Sequence, residues 1–290
     1  MLERIFASVV NKLHLLQIVR VPYLLLFLLT YSYWGAAWQS NLPEEIVQRS
    51  VANTNADWAA ASQFDFTERD VITQHGTRTV KAYQVMIIEG SPYNKLITVD
   101  GRKLSSAQAA EEEKKLQREI HRRLKETPAQ RRKRVAGYES ERRQDHALLS
   151  EMIKAFQYKL VGEETVNGRR CFALEASPRP GYRPSSHETQ VLLGMRGKLW
   201  IDAEQYQWVK VYAEVFHPVT FGLFFATVKP GTEFLLEQMP VQGKLWMPSH
   251  FSMQLNARVL LWARRTSDDE TYSNYYPVQA MQAKGAMSQP

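Results

Sequence analysis

The chain has 290 residues, 44% of them aliphatic, aromatic or cysteine and 23% charged, the balance of a folded protein rather than a disordered one. Its single cysteine excludes an intramolecular disulfide and any multi-cysteine zinc or iron–sulfur site. The net charge of +7 is local: residues 102–143 hold 14 Lys+Arg against 7 Glu, while the rest of the chain balances at 23 of each sign.

At the N-terminus, Arg4, Lys12 and Arg20 precede an apolar run from Val21 to Leu29, followed by the small residues Gly35, Ala36 and Ala37. This is the order of a secretory signal, with cleavage expected after Ala37. An uncleaved anchor is the alternative, since residues 21–37 just reach the length of a spanning helix. Either way the chain is expected to be exported, to the periplasm or cell envelope. Residues 38–276 then form one domain, and the polar residues 277–290 are read as a disordered tail.

Pro43-Glu44-Glu45 marks a helix start, with proline early and carboxylates in the first turn. Ile46, Val47, Val51 and Trp58 follow at helical spacing, so a helix is expected over 43–61. From Phe64 the period becomes two. Strands through Phe64–Ile72, Val80–Ile88 and Tyr93–Val99, separated by His75-Gly76 and Gly90-Ser91-Pro92, predict an antiparallel meander.

Residues 105–156 carry the whole charge excess. Leu116, Ile120 and Leu124 recur every four residues, and Glu119 and Arg123 are spaced for a helical pair. Thr127-Pro128 is a second cap with proline at the first helical position. Two charged helices inserted between strands are expected. Arg131, Arg132, Lys133 and Arg134 suit an anionic surface or a partner, with a solvated helix face as the plainer reading. No aromatic residues are interleaved for base stacking, so nucleic acid is not expected as a partner.

Beyond Phe156 strands resume. Asn167-Gly168 is a hairpin turn between 157–164 and 169–176, and 177–194 is a proline-bearing loop. Further strands are expected over 198–202, 208–216, 221–228, 232–238, 244–247, 251–261 and 264–275. The sum is an α+β chain with about ten or eleven antiparallel strands in a curved, unclosed sheet covered by helices.

No hydrolase, kinase or dinucleotide motif is present, no cofactor is expected, and the chain is not read as an enzyme. The histidines are scattered, with no two at ligand spacing, although His187, His217 and His250 could converge in space. Cys171, in a strand-like run, reads as a buried small hydrophobe. Glu163-Glu164 and Asp268-Asp269-Glu270 read as surface acids, and Asp202 as a turn former.

Large apolar residues alternate on the strands: Phe172 with Leu174, Leu199 with Ile201, Val209 with Val211, Phe234 with Leu236, and Phe251 with Met253 and Leu255. Each set is expected on one face. Helices either fill that face or cover a ligand cavity lined by Phe172, Leu174, Leu199, Ile201, Val209, Val211, Phe234, Leu236, Phe251 and Leu255. In Phe221-Gly222-Leu223-Phe224-Phe225 alternation fails, so this strand is either buried on both faces or forms an apolar tip for lipid or a partner through Phe221, Phe224 and Phe225.

Two stretches carry a family resemblance. Gly197-Lys198-Leu199-Trp200-Ile201-Asp202, followed by Trp208-Val209-Lys210-Val211, is a strand ending in Asp and then a returning strand. Gly162-Glu163-Glu164-Thr165-Val166-Asn167-Gly168-Arg169 is a hairpin of the pattern G-x-E-x-V-N-G-R. With the front helix and meander, these resemble the outer-membrane lipoprotein-sorting proteins, the periplasmic lipoprotein-carrier superfamily. The resemblance implies an unclosed antiparallel barrel lidded by helices, with lipid or the acyl chains of lipoproteins held inside. The alternative is an envelope interaction module with a filled core, docking on the membrane surface or on envelope proteins through its charged helices.

Overall fold

The computed structural model describes residues 42–74, 76–186, 188–221, 226–260 and 262–278. The expected signal segment and most of the C-terminal tail therefore lie outside the described residues. Within them the chain is α+β, a curved half-barrel made of one unclosed antiparallel sheet with helices against it.

Helix α1 (Leu42–Ala61) begins where Pro43 and the first-turn glutamates place it, and buries Ile46, Val47 and Val51. The meander follows as β1 (Phe64–Gln74), β2 (Thr77–Ile88) and β3 (Ser91–Val99), then a two-residue β4 (Arg102–Lys103). Glu89 and Gly90 both take positive φ at the β2–β3 turn, the conformation of a tight primed hairpin turn. Helices α2 (Ser106–Leu124) and α3 (Pro128–Ala155) follow, each opened by a capping box, Ser105 with Gln108 and Thr127 with Gln130.

The second half holds β5 (Phe156–Val166), β6 (Arg169–Pro178), β7 (Met195–Asp202), β8 (Trp208–Val215), β9 (Val219–Phe221), β10 (Ala226–Val228), β11 (Glu233–Gln242), β12 (Leu245–Val259) and β13 (Trp262–Pro277). Thirteen strands replace the expected ten or eleven. The differences are the short β4, the division of Phe221 and Ala226–Val228 between two strands, β9 and β10, and the merging of the stretches expected over 244–247 and 251–261 into the one strand β12. The loop expected over 177–194 ends in a 3-10 segment, Glu188–Gly194, whose Val191 and Leu192 enter the core.

The sheet order is β4-β3-β2-β1-β13-β12-β11-β8-β7-β6-β5, with β10 pairing β12 and β9. The first strand lies against the last, from Phe64 opposite Pro277 to Gln74 opposite Thr266. Helix α1 crosses the strands, touching β5, β7 and β12, and packs on α3. At 28 residues, α3 is roughly 42 Å long. It touches β3 at one end of the sheet order and β5 at the other, so it spans between the two free edges. Those edges are blunted as unpaired strands require. β4 presents two exposed basic residues, and β5 has a bulge at Val161 and exposed charges at Lys159, Glu163 and Glu164.

Candidate ligand-binding face

Strand register turns the sequence alternation into a continuous row. Leu160 pairs with Leu174, Leu174 with Leu199, Leu199 with Val211, Val211 with Leu236, and Leu236 with Phe251. Residues directly opposite in an antiparallel pair share a face, so six strands contribute to one apolar stripe. A parallel row runs through Ala176, Gly197, Ala213, Phe234 and Met253. Its small members have a reason: a Cβ on Gly197 would overlap the Tyr212 carbonyl oxygen.

Of the ten residues expected to line this face, Leu174, Leu199, Ile201, Val211 and Leu255 are buried in one cluster. Phe172, Phe234 and Leu236 pack against it, half-buried. Phe251 belongs to a neighbouring cluster with Met253 and Tyr272, joined to the first through Phe234. Val209 is an exception. The register slips between Trp200 and Ile201, so Ile201 faces Trp208 and Val209 is left over. The slip seats Val209 in a separate cluster with Cys171 and Trp246, because a bulge re-aims the residues beside it.

Helix α1 covers the stripe. Its apolar contribution is Ile46, Val47 and Val51; the rest of its hold is polar. The Trp208 indole N–H donates to Ser50 Oγ at 2.9 Å. Asn53 Nδ2 donates to the carbonyls of Gln205 and Tyr206 at 2.7 and 3.2 Å, and the Arg49 guanidinium lies 3.6 Å over the Tyr206 ring. Arg142 of α3 donates to the Trp58 carbonyl and stacks over that ring at 4.5 Å. Asp57 is buried, and burial pushes its carboxyl up to about 6 against hydrogen bonds from the Trp246 backbone and the Gln207 side chain. Beside the start of α1 a groove of about 1260 Å³ opens between Leu42 and Pro43 and the strands at Tyr158, Ala176 and Gly197.

Past Phe251 the same stripe changes character. Phe251 faces Glu270, Glu270 faces Asp70, and Asp70 faces Lys81. Asp268 and Glu270 were expected on the surface with Asp269, but both are buried; Glu270 is 1% exposed. The reason is tertiary: β13 became an interior strand, flanked by β1 and β12, and its alternate residues point into the fold. Tyr272 donates its hydroxyl to Glu270. Carboxylate oxygens of Glu68, Asp70 and Glu270 lie within 4.8 Å of one another, a donor set of the kind hard divalent cations take. Each of the three is also engaged with another group.

The charged helices are fixed by arginine. Arg123, 6% exposed, donates to the carbonyls of Ile88, Ser91 and Pro92 and to Ser91 Oγ, and pairs with Glu119 at 2.6 Å. The Arg122 and Arg123 contacts hold the Glu119 carboxyl down to about 2. The i,i+4 spacing pointed to the Glu119 pair, but nothing local marked Arg123 as the anchor of the helices on the β2–β3 turn. Within the basic run, Arg131 pairs with Glu89 and Arg134 with Glu126 and Ser91. Arg132 and Lys133 of that run are exposed and make no ion pair among the described residues.

The described histidines do not assemble a centre. His250 lies between Asp269 (2.9 Å) and Glu237 (3.8 Å), at the end of β8 that holds Lys210. His217 follows the other end of β8, and His187 lies outside the described residues. Burial pushes the Cys171 thiol up to about 11, which makes it inert. Asp202 forms its turn by accepting from the Glu204 and Gln205 amides. Phe221 ends β9, while Phe224 and Phe225 lie outside the described residues.

No protein-family model and no curated protein matches the chain. Solved structures do. A DUF1329 family protein from Desulfovibrio piger is similar at 12% identity over 81% of this chain and 92% of that one, with a TM-score of 0.32. A putative outer membrane lipoprotein-sorting protein domain from Vibrio parahaemolyticus is similar at 9% identity, over 80% and 93%, with a TM-score of 0.32. A LolA superfamily protein from Nitrosomonas europaea is similar at 10% identity, over 81% and 93%, with a TM-score of 0.28. Solved structures similar to this chain thus include a DUF1329 family protein, a putative lipoprotein-sorting domain and a LolA superfamily protein.

Proposed function

We propose that this chain is an exported, non-enzymatic carrier that holds lipid or the acyl chains of lipoproteins on the apolar stripe beneath α1. One observation carries the reading. Six adjacent strands present a continuous apolar row, and helix α1 lies over it with three buried aliphatic residues and a set of polar latches, beside Val191 and Leu192 of the 3-10 segment. Swinging α1 aside uncovers the row, and the groove beside Leu42 is the entry. At about 0.8 kcal/mol per CH₂ removed from water, one acyl chain offsets the loss of the helix contacts. Native mass spectrometry with lipid extraction on the exported protein tests this. Copurified lipid or acylated peptide, diminished by Phe234→Asp in a protein that still folds, is the expected result. A mass that gains nothing when lipids are offered refutes it.

A second reading rests on the burial of the face. Leu174, Leu199 and Ile201 are 2% exposed or less under α1, as in an ordinary filled core. In that case the chain is an envelope interaction module. The two readings part on whether α1 leaves the sheet.

A further inference from the structure

The β12–β13 hairpin breaks a local rule. Val259 pairs with Trp262, so the connection between β12 and β13 is two residues long in sequence and starts at Leu260. Such turns demand positive φ and select Asn-Gly. Leu260 occupies the left-handed region at φ 55, unfavourable for a branched apolar side chain, and it is 51% exposed. Trp262 beside it is 73% exposed. Strained backbone and two large exposed apolar side chains at one tip are costs that folding alone does not explain.

The surroundings say what meets the tip. Arg258 pairs with Ala263, Asn256 with Arg265 and Ala257 with Arg264, so arginines stand on both faces of the hairpin just below the apolar end. The neighbouring β10 runs alongside, with Ala226 opposite Val259 and Thr227 opposite Arg258, and leads to Lys229. The described residues around this end, 217–221, 226–231, 254–260 and 262–266, contain four Lys and Arg and no Asp or Glu. A Trp and a Leu at an extremity, collared by arginines with no acid among them, match the layers of a lipid interface. Aromatic and aliphatic groups enter at headgroup level while long cationic side chains reach the phosphates.

We propose that the β12–β13 tip is a docking wedge for an anionic lipid bilayer. It is independent of whether the concave face carries lipid. The wedge is built from Leu260, Trp262, Arg258 and Arg265.

The test places an environment-sensitive fluorophore on Ala263→Cys in the full chain. Cys171 is fully buried, so labelling is selective. Vesicles containing phosphatidylglycerol should shift the emission to the blue and expose the probe to lipid-borne quenchers. Vesicle binding through the N-terminal apolar run leaves this probe unshifted. Arg258→Ser with Arg265→Ser should weaken the response by roughly 25-fold, about fivefold per cation. Leu260→Asn with Trp262→Thr should abolish it without loss of stability, because Asn tolerates positive φ and Thr suits a strand. The proposal is overturned by an unshifted probe, by a shift that survives the Leu260→Asn/Trp262→Thr change, or by an equal response to purely zwitterionic vesicles. A shift without vesicles that grows with protein concentration also overturns it, in favour of a second copy as the partner.

Discussion

Replacing Ser50 and Asn53 together by alanine separates a lid from a core helix. The two side chains make three hydrogen bonds to the sheet side of the fold: Trp208 Nε1 to Ser50 Oγ, and Asn53 Nδ2 to the carbonyls of Gln205 and Tyr206. At about 1 kcal/mol for each neutral hydrogen bond, their loss destabilises the docked helix by about 2–3 kcal/mol. Ile46, Val47 and Val51 keep their apolar contacts, and the stripe itself is untouched. If binding needs α1 displaced, the open population rises roughly 30- to 150-fold, and the apparent Kd for a fatty acid falls by the same factor. Titration with a fluorescent fatty acid measures the affinity. Hydrogen exchange on residues 42–61 reports the opening directly, with β6 and β7 as internal controls. Faster exchange in α1 with unchanged or weaker affinity refutes the reasoning and makes the helix part of a permanent core.

Three other outcomes follow from the packing. Arg123→Met removes the charge that satisfies three carbonyls and Ser91 Oγ, so the α2–α3 pair should loosen from the β2–β3 turn at a cost of about 3–5 kcal/mol, seen as early proteolysis within 106–155. Asp57 holds its proton in the fold up to about pH 6 but releases it near 3.8 when unfolded. The fold therefore binds more protons between those values, and urea stability should fall as pH rises through that window and stay level above it. Asp57→Asn should flatten the profile and add on the order of 2 kcal/mol at neutral pH; an unchanged slope points to another group. Gly197→Ala drives a methyl onto the Tyr212 backbone and should cost about 2–3 kcal/mol by overpacking, read from the shift in the urea midpoint.

Much of the local structure was legible. The capping residue Thr127, the Asn167-Gly168 turn and the period-two alternation act within a few residues of themselves, so they mark helices and most strands without knowledge of the whole. The same alternation placed Leu174, Leu199, Val211 and Leu236 on one face. It failed at Val209, because a bulge is a mismatch between two strands and neither strand's sequence displays it.

Pairing between distant segments is the part that sequence leaves open. Composition and periodicity determined that this is an antiparallel, helix-covered chain with one charged insertion. Only the tertiary structure decided that β1 lies against β13, and that pairing turned Asp268 and Glu270 from surface acids into buried ones. It likewise decided that Arg131 and Arg134 are held in ion pairs while Leu260 and Trp262 stand exposed at a basic tip. Backbone propensity and side-chain period are properties of short segments. Burial, register and the meeting of charges depend on which segments the fold brings together.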